Sequence, residues 1–314
     1  MGPPLGWWPR RPAGLSSTGR AYPGSEPTAA AAPSLSRAQH GDDMAEISEH
    51  TNQVAGVEVF WRRGEPDAGP APTLYVHGVP THSDDWLPFL AQTGGVAIDL
   101  PGFGRSGKPN DFDYSIAGYD RFLEAFLDAV GIERFSLVVH DWGAVALATA
   151  QRLHERLERL VVLPSVPLLP GYEWHRIARM WRKPVVGELF MGFTTRFGFK
   201  QLSKEANATP GPLPDPMLDY VWKHFDHGTQ RAILRLYRAS PPDVLEAAGR
   251  RLGDIASPAL VLWPTADPYL GPEFGRAYAG ALGDAELEMV EDAGHWPWLD
   301  RPELVTRVAD FLCG

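Results

Sequence analysis

Cysteine is almost absent: of 314 residues only Cys313 is one, next to the C-terminus. No disulfide can close within the chain. That excludes a disulfide-stapled scaffold and fits a reducing compartment, so the cytoplasm is the expected location. Long apolar runs are missing too. No stretch of about 18 residues is apolar and free of charge, so no segment is expected to span a membrane, and a membrane is not among the expected partners. A basic excess is also lacking, with 29 Lys+Arg against 39 Asp+Glu and a formal net charge of −10. Nucleic acid is set aside on that ground, because phosphate binding needs a basic face. Hydrophobic residues at 44% and charged residues at 22% are globular values, which exclude collagen, coiled coil and wholesale disorder. No internal repeat is present. The length suits one large α/β domain, or such a domain with an inserted lid.

Residues 1–43 stand apart. They hold 7 Pro and 6 Gly, an alanine run at Ala29–Ala32 and no amphipathic period, the composition of an unpacked tail. Trp7-Trp8 runs into Pro9-Arg10-Arg11 with no apolar stretch after it, so neither a secretory nor a twin-arginine signal is read. Met44 is an alternative start.

From Met44 the pattern changes. Val54–Arg63 alternates and reads as a hairpin strand. Thr73–His77, Val96–Leu100, Phe135–His140 and Leu160–Leu163 are short β-rich runs, followed much later by Ala259–Trp263 and Leu287–Val290. Helical spacing marks Tyr119–Val130, Gly143–Leu157, Glu273–Leu282 and Glu303–Leu312. Strands alternating with helices predict a mostly parallel sheet covered on both faces. The alternation stops over residues 167–250, which show helix-length segments and no clear strand. This reads as a helical cap inserted between core segments 44–166 and 251–314. The cap carries 12 Lys+Arg against 8 Asp+Glu. That surplus is either a solvated helix surface or an attraction for anionic substrates or products.

The strongest chemical signal is Val138-Val139-His140-Asp141-Trp142-Gly143. A buried run enters a tight turn and a helix follows at once. An Asp there is either an N-cap or a nucleophile set on a strand–turn–helix elbow. Two further residues favour the nucleophile. Asp267 follows the run Ala259–Trp263, and His295 follows Leu287–Val290. All three lie just past the C-terminal ends of expected strands, where open parallel sheets bind ligands. His77-Gly78-Val79-Pro80 follows the first core strand, and Gly102-Phe103-Gly104-Arg105-Ser106 follows the next, its glycines marking turns of the scaffold.

From about Ala55 to Gly314 the chain resembles the haloalkane dehalogenase and epoxide hydrolase group of the α/β-hydrolase superfamily. The motifs that carry the resemblance are His-Gly-x-Pro at 77–80, Gly-Phe-Gly-x-Ser at 102–106, His-Asp-Trp-Gly at 140–143 and Gly-His-Trp at 294–296. It implies an α/β-hydrolase fold with a helical cap and a triad in the chain order nucleophile, acid, histidine: Asp141, Asp267, His295. It also implies an oxyanion hole from the backbone N–H groups of Val79 and Trp142. The carboxylate attacks carbon and leaves an alkyl-enzyme ester, which water activated by His295 then hydrolyses. A small apolar molecule and water are the expected partners, and no cofactor or metal is called for.

The leaving group separates two readings. A halide needs N–H donors: Trp142 first, with Trp174, Trp181 and Trp222 as cap candidates, since Val79 stands where many dehalogenases have Asn. An epoxide oxygen needs phenolic donors, for which Tyr172, Tyr220 and Tyr237 are available. Tyr237, 30 residues before Asp267, resembles the second epoxide hydrolase tyrosine. The wider runs Val-Val-His-Asp-Trp-Gly, Gly-Phe-Gly-x-Ser-Gly-Lys-Pro and Asp-Pro-Tyr-Leu-Gly-Pro look more like dehalogenases, so the sequence leans to hydrolytic carbon–halogen cleavage, with epoxide hydrolysis as the alternative. A non-catalytic ligand-binding relative of the same fold is the alternative of another class.

Because residues 1–43 lack any apolar period, they cannot offset the entropy of being ordered. A chain starting at Met44 is expected to keep the full-length melting temperature, read by calorimetry. A loss of several degrees would show that the tail packs on the body.

Overall fold

The computed structural model describes residues 45–314; the tail and the Met44 start lie outside the described residues. Eight strands form one sheet: β1 (Glu46–Val54), β2 (Val57–Glu65), β3 (Thr73–Val76), β4 (Gly95–Ile98), β5 (Phe135–Asp141), β6 (Leu157–Ser165), β7 (Ala259–Pro264) and β8 (Ala285–Val290). Their order across the sheet is β1-β2-β4-β3-β5-β6-β7-β8. The first two strands are antiparallel to their neighbours, and every pair from β4 to β8 is parallel.

Val54–Arg63, expected to be one strand, contains the corner between two. Ala55 and Gly56 both have positive φ, 47° and 80°, and Val54 pairs with Val57 across this two-residue turn. Alternation runs through a tight turn undisturbed, which is why the pattern alone did not break there. β3, β4, β5 and β7 are buried at every residue, as strands covered on both faces must be.

The covering helices are α1 (Leu87–Thr93), α2 (Ile116–Ala129), α3 (Val145–Arg152), then α4 (Arg176–Trp181), α5 (Val186–Phe193), α6 (Arg196–Leu202), α7 (Asp215–His224), α8 (His227–Ala239) and α9 (Pro242–Ala248), and finally α10 (Pro272–Ala281), α11 (Pro297–Asp300) and α12 (Glu303–Cys313). α2 starts where the Ser115 hydroxyl accepts the Gly118 N–H at 3.1 Å, and buries Tyr119, Phe122, Leu123 and Phe126 at helical spacing. The expected helix Gly143–Leu157 is shorter. A 3₁₀ turn at Trp142–Ala144 precedes α3, and Leu157 already pairs with Phe135 in the sheet. The six helices α4 to α9 lie between β6 and β7 with no strand among them.

Behind the β3 loop a polar network joins core to cap. Asp99 accepts N–H bonds from Ser83 at 2.7 Å and Arg105 at 2.8 Å, and the Ser106 hydroxyl bridges Phe60 N–H to the Asp99 carbonyl. The Gly102–Ser106 loop is thus scaffold. Tyr220 of α7 donates its hydroxyl to Asp85 and packs edge-on against His82 at 4.8 Å. Asp85 is buried, its other carboxylate oxygen has no partner, and burial pushes its pKa up to about 6. The native state therefore holds this proton more tightly than the unfolded chain. Between about pH 4 and 6 stability falls as pH rises, by on the order of 2–3 kcal/mol. Asp85→Asn, which keeps an acceptor for Tyr220, is expected to raise the urea midpoint at pH 8 and leave it unchanged at pH 4. A loss at pH 8 would mean that the charge itself is needed.

Candidate active site

Asp141 ends β5 at φ 50° and ψ −119°, a conformation costly for any side-chain-bearing residue. The local packing leaves no other path. A Cβ on Gly143 would lie 2.1 Å from the Val76 carbonyl oxygen, and one on Gly78 would lie 2.3 Å from Asp141 Cβ. Glycine at both positions lets the elbow press against the β3 loop. That approach brings the Val79 N–H to 2.7 Å from Asp141 Oδ1, and the Trp142 backbone N–H also bonds the carboxylate.

His295 faces this group. Its Nε2 is 3.7 Å from Asp141 Oδ2, beyond a hydrogen bond, and its Nδ1 is 2.8 Å from Asp267 Oδ2. A carboxylate only accepts, so Nδ1 carries the proton and Nε2 presents its lone pair to Asp141. Asp267 is fixed in turn by the Tyr269 and Leu270 N–H groups, at 2.8 and 3.1 Å from Oδ1. All three side chains are buried. Burial pushes the Asp141 pKa up, and the His295 charge and the N–H donors only partly reverse it. For His295, burial pulls down, but the Asp267 charge and hydrogen bond and the Asp141 charge outweigh it, so the net shift is upward.

Asp141, His295 and Val79 open onto a cavity under the cap, about 880 Å³ with its mouth included, walled largely by apolar and aromatic side chains. Of the cap candidates, Tyr172, Trp174, Trp181 and Tyr237 line it. Tyr220 and Trp222 do not: Tyr220 turns to Asp85, and Trp222 stacks on Phe225 at 5.8 Å. Trp142 lies behind the wall, stacked on Trp174 at 5.4 Å and edge-on to Tyr237 at 5.0 Å. The Trp174 indole N–H is bonded to the Ser240 carbonyl at 3.0 Å. Those of Trp142 and Trp181, and the Tyr172 hydroxyl, are buried with no hydrogen-bond partner. The Tyr237 hydroxyl feels both the Asp141 charge and the Trp142 indole, and burial keeps its pKa well above 10.

Three site residues carried no signal of their own in the sequence. His140 donates from Nε2 to the His295 carbonyl at 2.7 Å. Tyr269 stands edge-on to the His295 ring at 5.1 Å. His175 lines the cavity, its pKa lowered to about 4 by burial and then by the His295 charge. His140 sits inside the His-Asp-Trp-Gly motif at 140–143 and Tyr269 two residues after Asp267, so motif position could have pointed to both; His175 lies in no motif. Among the described residues no group of three His, Cys, Asp or Glu side chains is placed to hold a metal ion.

Residues 74–308 match the alpha/beta hydrolase family. The chain belongs to that family. A haloalkane dehalogenase of Mesorhizobium japonicum is 28% identical, over 78% of this chain and 85% of its own. Epoxide hydrolase A of Mycobacterium tuberculosis is 28% identical, over 80% and 92%. The crystal structure of a haloalkane dehalogenase from Bradyrhizobium elkani superposes with a TM-score of 0.73 at 26% identity, covering 86% of this chain and 98% of that one. The protein is a hydrolase, and among its described residues no helix is long and apolar enough to cross a membrane.

The elbow of this hydrolase has no room for a methyl group. Gly143→Ala is expected to cost about 1–3 kcal/mol in urea unfolding and to reduce turnover more than stability, by moving Asp141. An unchanged unfolding midpoint would show that the elbow can open at no cost.

Proposed function

We propose that this hydrolase works through an alkyl-enzyme ester on Asp141. The observation that carries the reading is a buried carboxylate with the Val79 N–H on Oδ1 and with Oδ2 opposite an Asp-held imidazole at 3.7 Å. Oδ2 attacks an electrophilic carbon as the bond to the leaving atom breaks. Oδ1 becomes the ester carbonyl and stays in the Val79–Trp142 oxyanion hole. Water then attacks the Asp141 carboxyl carbon and gives a proton to His295 Nε2. Collapse releases the alcohol, which takes that proton back from His295. Asp141 is regenerated holding one water oxygen as the water's second proton leaves, to solvent with a halide or to the phenolate that protonated an epoxide oxygen.

Two phenols, Tyr172 and Tyr237, line the cavity while Trp142 lies behind its wall, and on that placement we rank epoxide opening first. Tyr237 and Tyr172 both feel the Asp141 charge, and both are phenols held protonated by burial. A phenol beside the nucleophile gives the departing alkoxide its proton. Carbon–halogen cleavage, towards which the motifs lean, is the second reading. The unpartnered indole N–H groups of Trp142 and Trp181 support it. Against it, the Trp174 N–H is already taken and Val79 offers no side-chain donor.

His295→Gln is expected to trap the ester as a mass increment on the Asp141 peptide, while Asp141→Ala abolishes turnover. No adduct in single-turnover mixtures, with the wild type active, rejects the covalent route. Tyr237→Phe is expected to cut epoxide turnover by about 10- to 1,000-fold, the range for one preorganised donor. If Trp142→Phe is the crippling change on the best substrate, with halide released, the second reading wins. Hydrolysis of the ester is expected to rise with pH as His295 loses its proton, because His295 must be neutral to act. The ester carries no Asp141 charge, so the Asp267 charge and hydrogen bond are what hold that step up against burial. Asp267→Asn removes the charge that raises it, so the step should move to lower pH. A step that stays in place would assign it to another group.

A further inference from the structure

Seven large hydrophobic residues are exposed among the described residues, and five of them fall in one stretch of the cap: Val185 at 67%, Val186 at 41%, Leu189 at 55%, Phe193 at 80% and Phe197 at 72%. Val186, Leu189 and Phe193 are spaced three and four apart along α5, which puts them on one face. The adjoining side of the same helix contributes Phe190 and Met191 to the wall of the catalytic cavity. α5 is therefore apolar towards the cavity and apolar towards the outside. Scattered exposed hydrophobic residues are ordinary; a contiguous stripe marks a contact surface.

A second feature lies beside the stripe. α5 and α8 enclose a cleft of about 940 Å³ with its mouth included, lined among others by Glu188, Gln230, Arg231, Arg235 and Arg238. The arginines recur at i, i+4 and i+7 on α8 and outnumber the acid by two. Arg238 is paired with Glu188 at 2.6 and 2.9 Å, Arg231 donates to the Lys108 carbonyl at 2.7 Å, and Arg235 donates through one terminal nitrogen to the Asn110 carbonyl. The Nε groups of Arg231 and Arg238 are nonetheless buried without any hydrogen-bond partner.

We propose that this face of the cap docks on the surface of an anionic phospholipid bilayer, with headgroup phosphates in the arginine cleft and the α5 stripe in the headgroup–acyl boundary. Guanidinium groups match phosphate oxygens in geometry as well as charge. An apolar stripe flanked by cations is the arrangement by which a helix lies in the interface rather than crossing it. The charge of the whole body orients the contact. Residues 167–250 carry 12 Lys+Arg against 8 Asp+Glu, while the rest of 44–314 carries 13 against 28. An anionic surface attracts the cap and repels the core. A second copy is a poorer occupant, because it presents the same basic excess, 12 Lys+Arg against 8 Asp+Glu over residues 167–250, and so gains no charge complementarity through this face. The lack of a membrane-spanning run does not bear on this, since docking needs no span. The inference is independent of the leaving-group chemistry. Its consequence is that one wall of the cavity faces lipid, which suits a small apolar substrate.

The test uses the full-length protein with vesicles of phosphatidylglycerol or of phosphatidylcholine, read by co-sedimentation. Binding to the anionic vesicles alone, weakening as salt rises, is expected. Leu189→Ser with Phe193→Ser, with melting temperature unchanged, and separately Arg235→Glu, with the fold checked by circular dichroism, are each expected to weaken it by about tenfold or more. Equal binding to both lipids, or none, overturns the proposal. So does stabilisation by soluble glycerophosphate without vesicle binding, which would make the cleft a free-anion site. If the stripe variant dissociates a dimer seen by light scattering, the stripe is a subunit contact. If removal of residues 1–43 abolishes vesicle binding, the contact belongs to the tail. Both results reject docking by the cap.

Discussion

The site depends on a carboxylate held in left-handed backbone and wedged between two residues that cannot bear a Cβ. Asp141 at φ 50° is unfavourable by itself, on the order of 1–3 kcal/mol. It persists because β5 is hydrogen-bonded on both sides, to β3 and to β6, and the turn has nowhere else to go. The same compression that strains Asp141 delivers the Val79 N–H to its Oδ1. Strain and function are one geometric fact: relaxing the elbow would withdraw the carboxylate from its donors and from His295.

Three buried acids in this protein show how donors decide what burial does. Asp267 accepts two backbone N–H bonds and the His295 ring N–H, so both its oxygens are occupied and it serves as a fixed negative pole. Asp141 has donors on one oxygen only, and the other faces a base at 3.7 Å without bonding it. That leaves a lone pair of Oδ2 without a donor, as the proposed attack requires. Asp85 has the Tyr220 hydroxyl on one oxygen and nothing on the other, and its proton affinity rises accordingly. The three carboxylates thus differ in what their oxygens meet: both are bonded in Asp267, one faces an imidazole in Asp141, and one is unpartnered in Asp85, whose proton affinity burial raises.

Much of the core was legible because the signals there are local. A β-rich run of four to six residues ending at Gly or Pro marks β3, β4 and β7 within a residue or two, and the residues singled out just past such runs, Asp141, Asp267 and His295, are ones the fold brings together. The turn at Ala55-Gly56 was lost because strand alternation continues through it. The end of α3 was lost because Leu157 fits a helix pattern as well as the sheet register that claims it. His140 and Tyr269 act through contacts with His295, 155 and 26 residues away in the sequence. No spacing rule encodes such pairs.

The cap was the least legible part, for a reason that bears on chemistry. Six aromatic residues were equal candidates by type, yet each has one hydrogen-bonding group whose direction depends on the packing of several short helices. Trp174 lines the cavity but spends its N–H on the Ser240 carbonyl, so its ring shapes the cavity and its donor is lost to it. Tyr220 lies outside the cavity wall and latches cap to core through Asp85. Tyr237 is pressed between Trp142 at 5.0 Å, Trp174 at 4.9 Å and Trp181 at 5.0 Å. Three rings therefore hold one phenol at the nucleophile's side of the cavity. Rings contribute apolar burial wherever they sit, but a leaving group is stabilised only by a donor that no other acceptor has claimed. Among the leaving-group candidates the unclaimed donors are the indoles of Trp142 and Trp181 and the Tyr172 hydroxyl, so number alone does not separate the two leaving groups. Position does more, because Tyr172 and Tyr237 line the cavity while Trp142 stands behind its wall, and that supports the proposed oxygen leaving group.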